Sequence, residues 1–260
     1  MSAIYRGMPE QGIEVTFEQI YSEPSEDTTM APVLSGICEA ASVLPAGVEM
    51  VHVNRVICED KGRYRVFFDT DVCCILYAKE LRRYGIEEDC DIPAQRYQQL
   101  FSECLFKRAR KRAMYLLERM DRTEHQLREK LRDNSYPQIC IDDAVSYVKR
   151  FHYLDDDRYA ERYVQIAQGR QSRRNVKRKL MQKGIAGNVA DHAIEQEYVT
   201  DELQQIRTWI DKKRSVYDLS ECRDVQKLYQ FLLRRGFSGC DIRKVLNCEK
   251  CTIDNAFDGY

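Results

Sequence analysis

One apolar spacing occurs three times along the chain: Leu127-x3-Leu131-x4-Tyr136, Val176-x3-Leu180-x4-Ile185 and Leu228-x3-Leu232-x4-Phe237, displaced by 49 and 52 residues. A second apolar pair follows each copy: Ile141 and Val145, Val189 and Ala193, Ile242 and Val245. A further helical stretch precedes each, over residues 113–120, 159–167 and 203–210. Each unit therefore reads as three short helices, too small to bury much apolar surface alone, whose core would grow by stacking on its neighbours. The spacing predicts helices over residues 94–246, broken near 135–137, Gly169, 184–187 and Gly236. It divides this part into a first repeat (93–155), a second (156–200) and a third (201–250), with a tail over 251–260.

The preceding region has a different period. Residues 1–47 are hard to assign; residues 13–17 alternate like a strand, and residues 22–32 are polar and Pro/Thr-rich, a loop composition. Residues 48–92 read as a small β-meander domain. Residues 50–56, 64–68 and 72–76 are β-rich, Asp60-Lys61-Gly62 is a hairpin signal, and helices at 78–84 and after Pro93 would cover one face. Leu105, Ala109, Ala113, Leu116, Leu117 and Met120 then form one apolar helix edge, and Thr123-x-x-Gln126 is a capping box. The fold class is mainly α, tandem three-helix repeats behind a small β-rich α+β domain.

Net charge is −1, but it is segregated. Residues 1–106 hold 9 Lys/Arg and 18 Asp/Glu, residues 107–183 hold 21 and 11, and residues 184–260 hold 11 and 13. A cationic centre between acidic flanks points to a localised anionic partner surface. The 11 cysteines, with Cys73 and Cys74 adjacent and no signal peptide in front, read as reduced thiols of a cytoplasmic protein. Cys248-x-x-Cys251 is half a zinc spacing without a second half, and His52, His125, His152 and His192 are scattered. There is no apolar run of membrane-span length, no Gly-rich phosphate loop, no nucleophile elbow and no His-Glu-x-x-His. Neither an enzyme nor a cofactor is expected.

The most informative stretch is 151–185. Asp155, Asp156 and Asp157 suit a helix start, where carboxylates accept from unpaired N–H groups and meet the positive end of the macrodipole. Consecutive carboxylates diverge around a helix, so a metal site is the weaker reading. Tyr159, Tyr163 and Ile166, with Ala160, Val164 and Ala167 beside them, form an apolar stripe. Past Gly169 comes a basic block: Arg170, Arg173, Arg174, Lys177, Arg178, Lys179 and Lys183. Arg174, Lys177 and Arg178 lie opposite Val176 and Leu180 at 100° per residue. Tyr153-Leu154-Asp155-Asp156-x-Arg158-Tyr159-Ala160, followed by this Arg-rich segment and Leu180-x-x-Lys183-Gly184-Ile185, resembles the core of the RecX family, bacterial regulators of the RecA recombinase. The resemblance covers roughly residues 105–250, and where the family usually has Gly this chain has His152. It implies tandem three-helix modules in an elongated, curved array. It also implies a monomer that binds RecA and the RecA–DNA filament and inhibits recombinase, ATPase and co-protease activities.

The residues themselves leave three readings of the block open: a solvated helix face, contact with nucleic-acid phosphates, or contact with an acidic groove on a protein. Acids are absent from residues 162–183, which weakens the first. Lys107, Arg108 and Lys111, in the run Lys107-Arg108-x-Arg110-Lys111-Arg112, are a second candidate contact. Direct DNA binding is the alternative function, but only Asn175 and Gln182 on the basic helix could read bases, which favours positioning over sequence reading. Tyr153, Tyr159 and Trp209 are expected to pack in cores.

Overall fold

The computed structural model describes residues 43–45, 47–60 and 62–248, with the side chains of residues 247 and 248 left aside. The expected strand at 13–17, the polar stretch at 22–32, the tail and the Cys248-x-x-Cys251 half-site lie outside the described residues.

Alternating apolar residues build an antiparallel sheet of β1 (Met50–Asp60), β2 (Arg63–Phe68), β3 (Cys73–Tyr77) and β4 (Cys90–Pro93), in the order β3-β2-β1-β4. Asp60 pairs with Arg63 across the hairpin, and Gly62 supplies the positive φ of +83° that the tight turn requires. Val51, Val53, Val66, Phe68, Cys74, Leu76 and Ile92 share the buried face. The meander is as the sequence predicts; β4, four residues ending in Pro, is not, because it carries little strand propensity and depends on pairing with β1.

Helix α1 (Ala78–Tyr84) ends at Gly85 in the left-handed region. One long helix then runs from α2 (Ala94–Gln99) through a π-helical stretch (Leu100–Leu105) into α3 (Phe106–Arg119). The wide turns rotate the apolar stripe between these two parts of the helix. Tyr97 meets Phe68 of the sheet at 5.0 Å, Phe101 follows at 4.9 Å, and Phe106 continues the chain of rings at 5.9 Å.

The three repeats are α3 with α4 (Glu124–Asp133) and α5 (Gln138–Arg150); α6 (Asp156–Ala167), α7 (Arg173–Gln182) and α8 (Gly187–Glu197); α9 (Glu202–Lys213), α10 (Cys222–Arg234) and α11 (Gly239–Cys248). The recurrent spacing has a local cause. Tyr136, Ile185 and Phe237 each donate their N–H to the carbonyl of Leu131, Leu180 and Leu232, at 3.3, 3.1 and 3.3 Å. This is the six-to-one bond of a Schellman end, which needs a left-handed residue just before the donor. Ser135, Gly184 and Gly236 fill that position with φ of +57°, +87° and +88°. Leu131, Leu180 and Leu232 are equivalent and fully buried. Met120 and Ile166, placed on apolar edges by periodicity, are 56% and 63% exposed; Met120 lies beyond the end of α3, in extended backbone.

Three hydrophobic clusters result. One joins the sheet to the first repeat, from Leu44 to Leu154. The second runs from Ala160 to Tyr198 and the third from Ile206 to Leu246. The expected division between 92 and 93 therefore cuts through a single core.

Candidate partner-binding face and the joints that hold it

The basic block is positioned by two joints that repeat one hydrogen-bond scheme. In the first, Thr123 caps α4 by accepting from the Gln126 N–H at 3.2 Å and donates its hydroxyl to the Lys183 carbonyl of the next repeat at 2.6 Å. In the second, Ser172 accepts from the Asn175 N–H at 3.2 Å and donates to the Arg235 carbonyl at 3.4 Å. Both residues are fully buried. A hydroxyl can accept and donate at once, whereas a carboxylate, equally good as a cap, only accepts.

An acid from the following repeat completes each joint. Asp156 accepts from the Glu124 N–H at 2.9 Å, and Glu202 accepts from the Arg173 N–H at 2.7 Å. Burial pushes the Asp156 carboxyl up, against the Glu124 N–H that draws it down. The glycine corners sit against the preceding repeat. A Cβ on Gly184 would stand 2.1 Å from the Cβ of His125, and one on Gly236 2.6 Å from both the Asn175 Cβ and the Ser172 Oγ. The second joint adds buried Tyr198, which donates to the Gln171 carbonyl at 2.6 Å and accepts from Gln205 at 2.7 Å.

Of the predicted contact residues, Arg170, Arg174 and Arg178 are exposed and have no acidic partner among the described residues. Arg178 donates to the Asn175 side chain at 2.7 Å. Lys177 is not free as expected: its ammonium meets Asp191 of α8 at 2.6 Å, an acid that periodicity within α7 could not reveal. Arg173 lies over Tyr198 at 4.9 Å and donates to its carbonyl at 2.9 Å. Lys183 sits over Tyr159 and Tyr163 at 5.9 and 5.7 Å. Asn175 is 5% exposed and bonded to Gln171 and Arg178, so it cannot reach a base edge.

The second cationic run splits. Lys107 and Lys111 point outward on α3, while Arg108 turns onto the sheet. It pairs with Glu80 at 3.0 Å, donates to the Ile75 carbonyl on β3, and lies over Tyr77 at 5.2 Å. Burial disfavours the Arg108 charge, and its surroundings, Glu80 foremost, more than restore it. Arg108 is thus a tie between sheet and first repeat, and Arg110 is likewise engaged, with Asp143 at 2.6 Å.

Comparison with known proteins gives the family. Models of the first, second and third three-helix domains of RecX match residues 109–147, 155–194 and 200–246. The regulatory protein RecX of Caldanaerobacter subterraneus subsp. tengcongensis is 30% identical over 75% of this chain and 98% of its own length. This chain belongs to the RecX family. RecX of Clostridium botulinum (strain Eklund 17B) is 27% identical over 71% of this chain and 88% of its own. A crystal structure of regulatory protein RecX shares the fold, with a TM-score of 0.50, 20% identity, and coverage of 76% of this chain and 99% of that one. Among the described residues, no helix is long and apolar enough to cross a membrane.

The RecX signature can now be read as joint chemistry. Leu154 is buried. Asp155 caps its own helix through the Arg158 N–H at 3.0 Å. Asp156 caps the neighbouring repeat, and Ala160 lies in the second core. Tyr153 and Tyr159 are half-buried, packed on the first and second cores, and Arg158 is exposed. Arg162 pairs with Asp121 at 2.6 Å rather than with the acidic triplet. His152, where RecX proteins usually have Gly, keeps the left-handed turn at φ +56°. His152→Gly is therefore expected to stabilise the chain by about 0.5–1 kcal/mol, since a left-handed L-residue is strained; a denaturant midpoint unchanged or lowered would contradict this.

Proposed function

We propose that this chain regulates the RecA recombinase, binding RecA and the RecA–DNA filament and restraining recombinase, ATPase and co-protease activity. It does so in the cytoplasm, as a monomer and without chemistry of its own. The observation that carries this reading is the set of cations on the middle repeat, Arg170, Arg174 and Arg178, left without acidic partners in a chain of the RecX family. Successive repeats offer successive contacts, so modest interactions with neighbouring subunits of a helical partner add through effective concentration. Direct DNA binding is the second reading, because the same guanidinium groups suit phosphates. Burial of Asn175 leaves exposed Gln182 as the one base reader named on that helix, so this reading is of phosphate contact rather than of sequence.

The test leaves Lys177 in place, because its ion pair would confound the result. Arg174→Glu combined with Arg178→Glu is expected to weaken binding to the RecA–DNA filament about tenfold or more, while unfolding free energy falls by only about 1 kcal/mol, through the lost Arg178–Asn175 hydrogen bond. Affinity for naked DNA should change little. An equal loss on naked DNA favours the second reading, and unchanged inhibition of RecA ATPase removes this face from the mechanism.

A further inference from the structure

The second joint opens on one side into a cleft between α7 and α10. Arg178 and Lys179 line one wall; Phe231, Arg234 and Arg235 line the other. Among the described residues, none of the four cations is in an ion pair, although their neighbours on the same helices are: Lys177 with Asp191 at 2.6 Å and Lys227 with Asp224 at 2.8 Å. Each guanidinium is anchored by one hydrogen bond to a neutral acceptor. Arg178 donates to the Asn175 side chain at 2.7 Å, Arg234 to the Gln230 carbonyl at 3.3 Å and Arg235 to the Arg170 carbonyl at 2.8 Å. Arg235 is stacked 3.8 Å above Trp209 and 4.6 Å from Phe231, and its Nε is buried without a partner. Arg235 is a partly buried charge with no counter-ion, which is costly, and a carboxylate placed between it and the exposed Arg178 and Arg234 and half-buried Lys179 removes that cost while gaining charge-assisted hydrogen bonds.

We propose that this cleft is a docking site for an acidic segment of the protein partner, whose carboxylates the four cations hold. A nucleic-acid strand fits less well. Its sequence-independent binding relies on aromatic faces for base stacking. Here the ring of Phe231 is already engaged by Trp209 at 5.6 Å, Arg235 and Lys213 at 5.4 Å. Arg234 and Arg235 extend the contact surface beyond the basic block, onto the third repeat. An occupant would bridge two repeats whose own connection is a narrow set of polar bonds. The site deepens the filament-binding reading and rests on it only for the identity of the partner.

Trp209 is the only tryptophan in the chain and lies under Arg235, so its fluorescence reports on the cleft. The full chain would be titrated at low ionic strength with poly-L-glutamate and, separately, with oligothymidylate. Poly-L-glutamate should change Trp209 emission saturably. Lys179→Glu combined with Arg234→Glu should weaken that response about tenfold, as expected for two partly screened ion pairs. Arg234→Gln, a milder change at an exposed helix end, should weaken it less and serves if the double variant folds poorly. A response to oligothymidylate with none to poly-L-glutamate overturns the proposal in favour of nucleic acid, and no response to either shows that the cleft takes no anionic chain. Binding of the same variants to the RecA–DNA filament separates the two levels. Loss of the poly-L-glutamate response with undiminished filament binding places the site in this chain but removes RecA as its occupant.

Discussion

Gly184→Ala is expected to be among the most damaging single-methyl additions available to this chain, costing about 2–4 kcal/mol through a left-handed backbone and a hard steric overlap. The new Cβ would lie 2.1 Å from the Cβ of His125, an atom fixed to the α4 backbone that no rotamer change can move aside. Relief requires α4 and the corner after α7 to separate, which lengthens the Thr123 to Lys183 and Glu124 to Asp156 hydrogen bonds. Denaturant unfolding would measure the loss, and faster amide exchange at Glu124 would locate it. Ser135 provides the control. It occupies the same corner of the first repeat at φ +57° and already carries a side chain, so Ser135→Ala should move stability by only about 0.5 kcal/mol. If both substitutions had equally small effects, the close approach at the joint would be wrong.

Deleting residues 1–92 is the second large effect. Read from periodicity, the deletion leaves the repeats untouched; read from the packing, it strips one side from the first core. Leu100, Phe101 and Leu105 are fully buried in the cluster that also holds Val51, Val53, Val66 and Leu76. Uncovering such side chains costs about 1.5–3 kcal/mol each, against a total stability of about 5–15 kcal/mol for an ordinary domain. The deletion also leaves Arg108 without Glu80, a half-buried charge without its partner. The truncated chain should lose helicity and the cooperative melt of its first repeat, while the second and third clusters retain theirs. A truncated chain that melts as one transition near the temperature of the full chain would restore the two-domain reading.

Much of this was visible in the residues. The recurrent Leu-x3-Leu-x4 spacing marks a Schellman end three times, and three strands follow from alternation because each has one face in water and one in the core. Other features depend on distance across repeats, which spacing along one helix does not encode. Asp156 looks like a cap for its own helix and serves the neighbouring one. Lys177 looks as free as Arg174 until Asp191 arrives from α8. Arg108 looks like surface charge until the π-helical stretch turns the long helix against the sheet. The cleft cations of the third repeat were missed for a related reason: Arg234-Arg235 is an unremarkable pair in sequence, and only the fold sets it opposite Arg178 and Lys179. A signal was nevertheless present, because Gly236 after the pair matches Gly184 after Lys183.

The sharing of one core between sheet and first repeat also bears on the order in which the chain can fold as it is synthesised. The ribosome releases the sheet and the first repeat before either later repeat, and together they already form a closed core. The second repeat then meets a finished α4 terminus, with the Thr123 hydroxyl and the Glu124 N–H in place to receive Lys183 and Asp156. The third meets Ser172 and Arg173 in the same way. Each joint has its receiving half made first, so assembly can proceed by templated addition in the direction of translation. A chain arrested after residue 200 should consequently hold its completed repeats in native form, without waiting for the remainder.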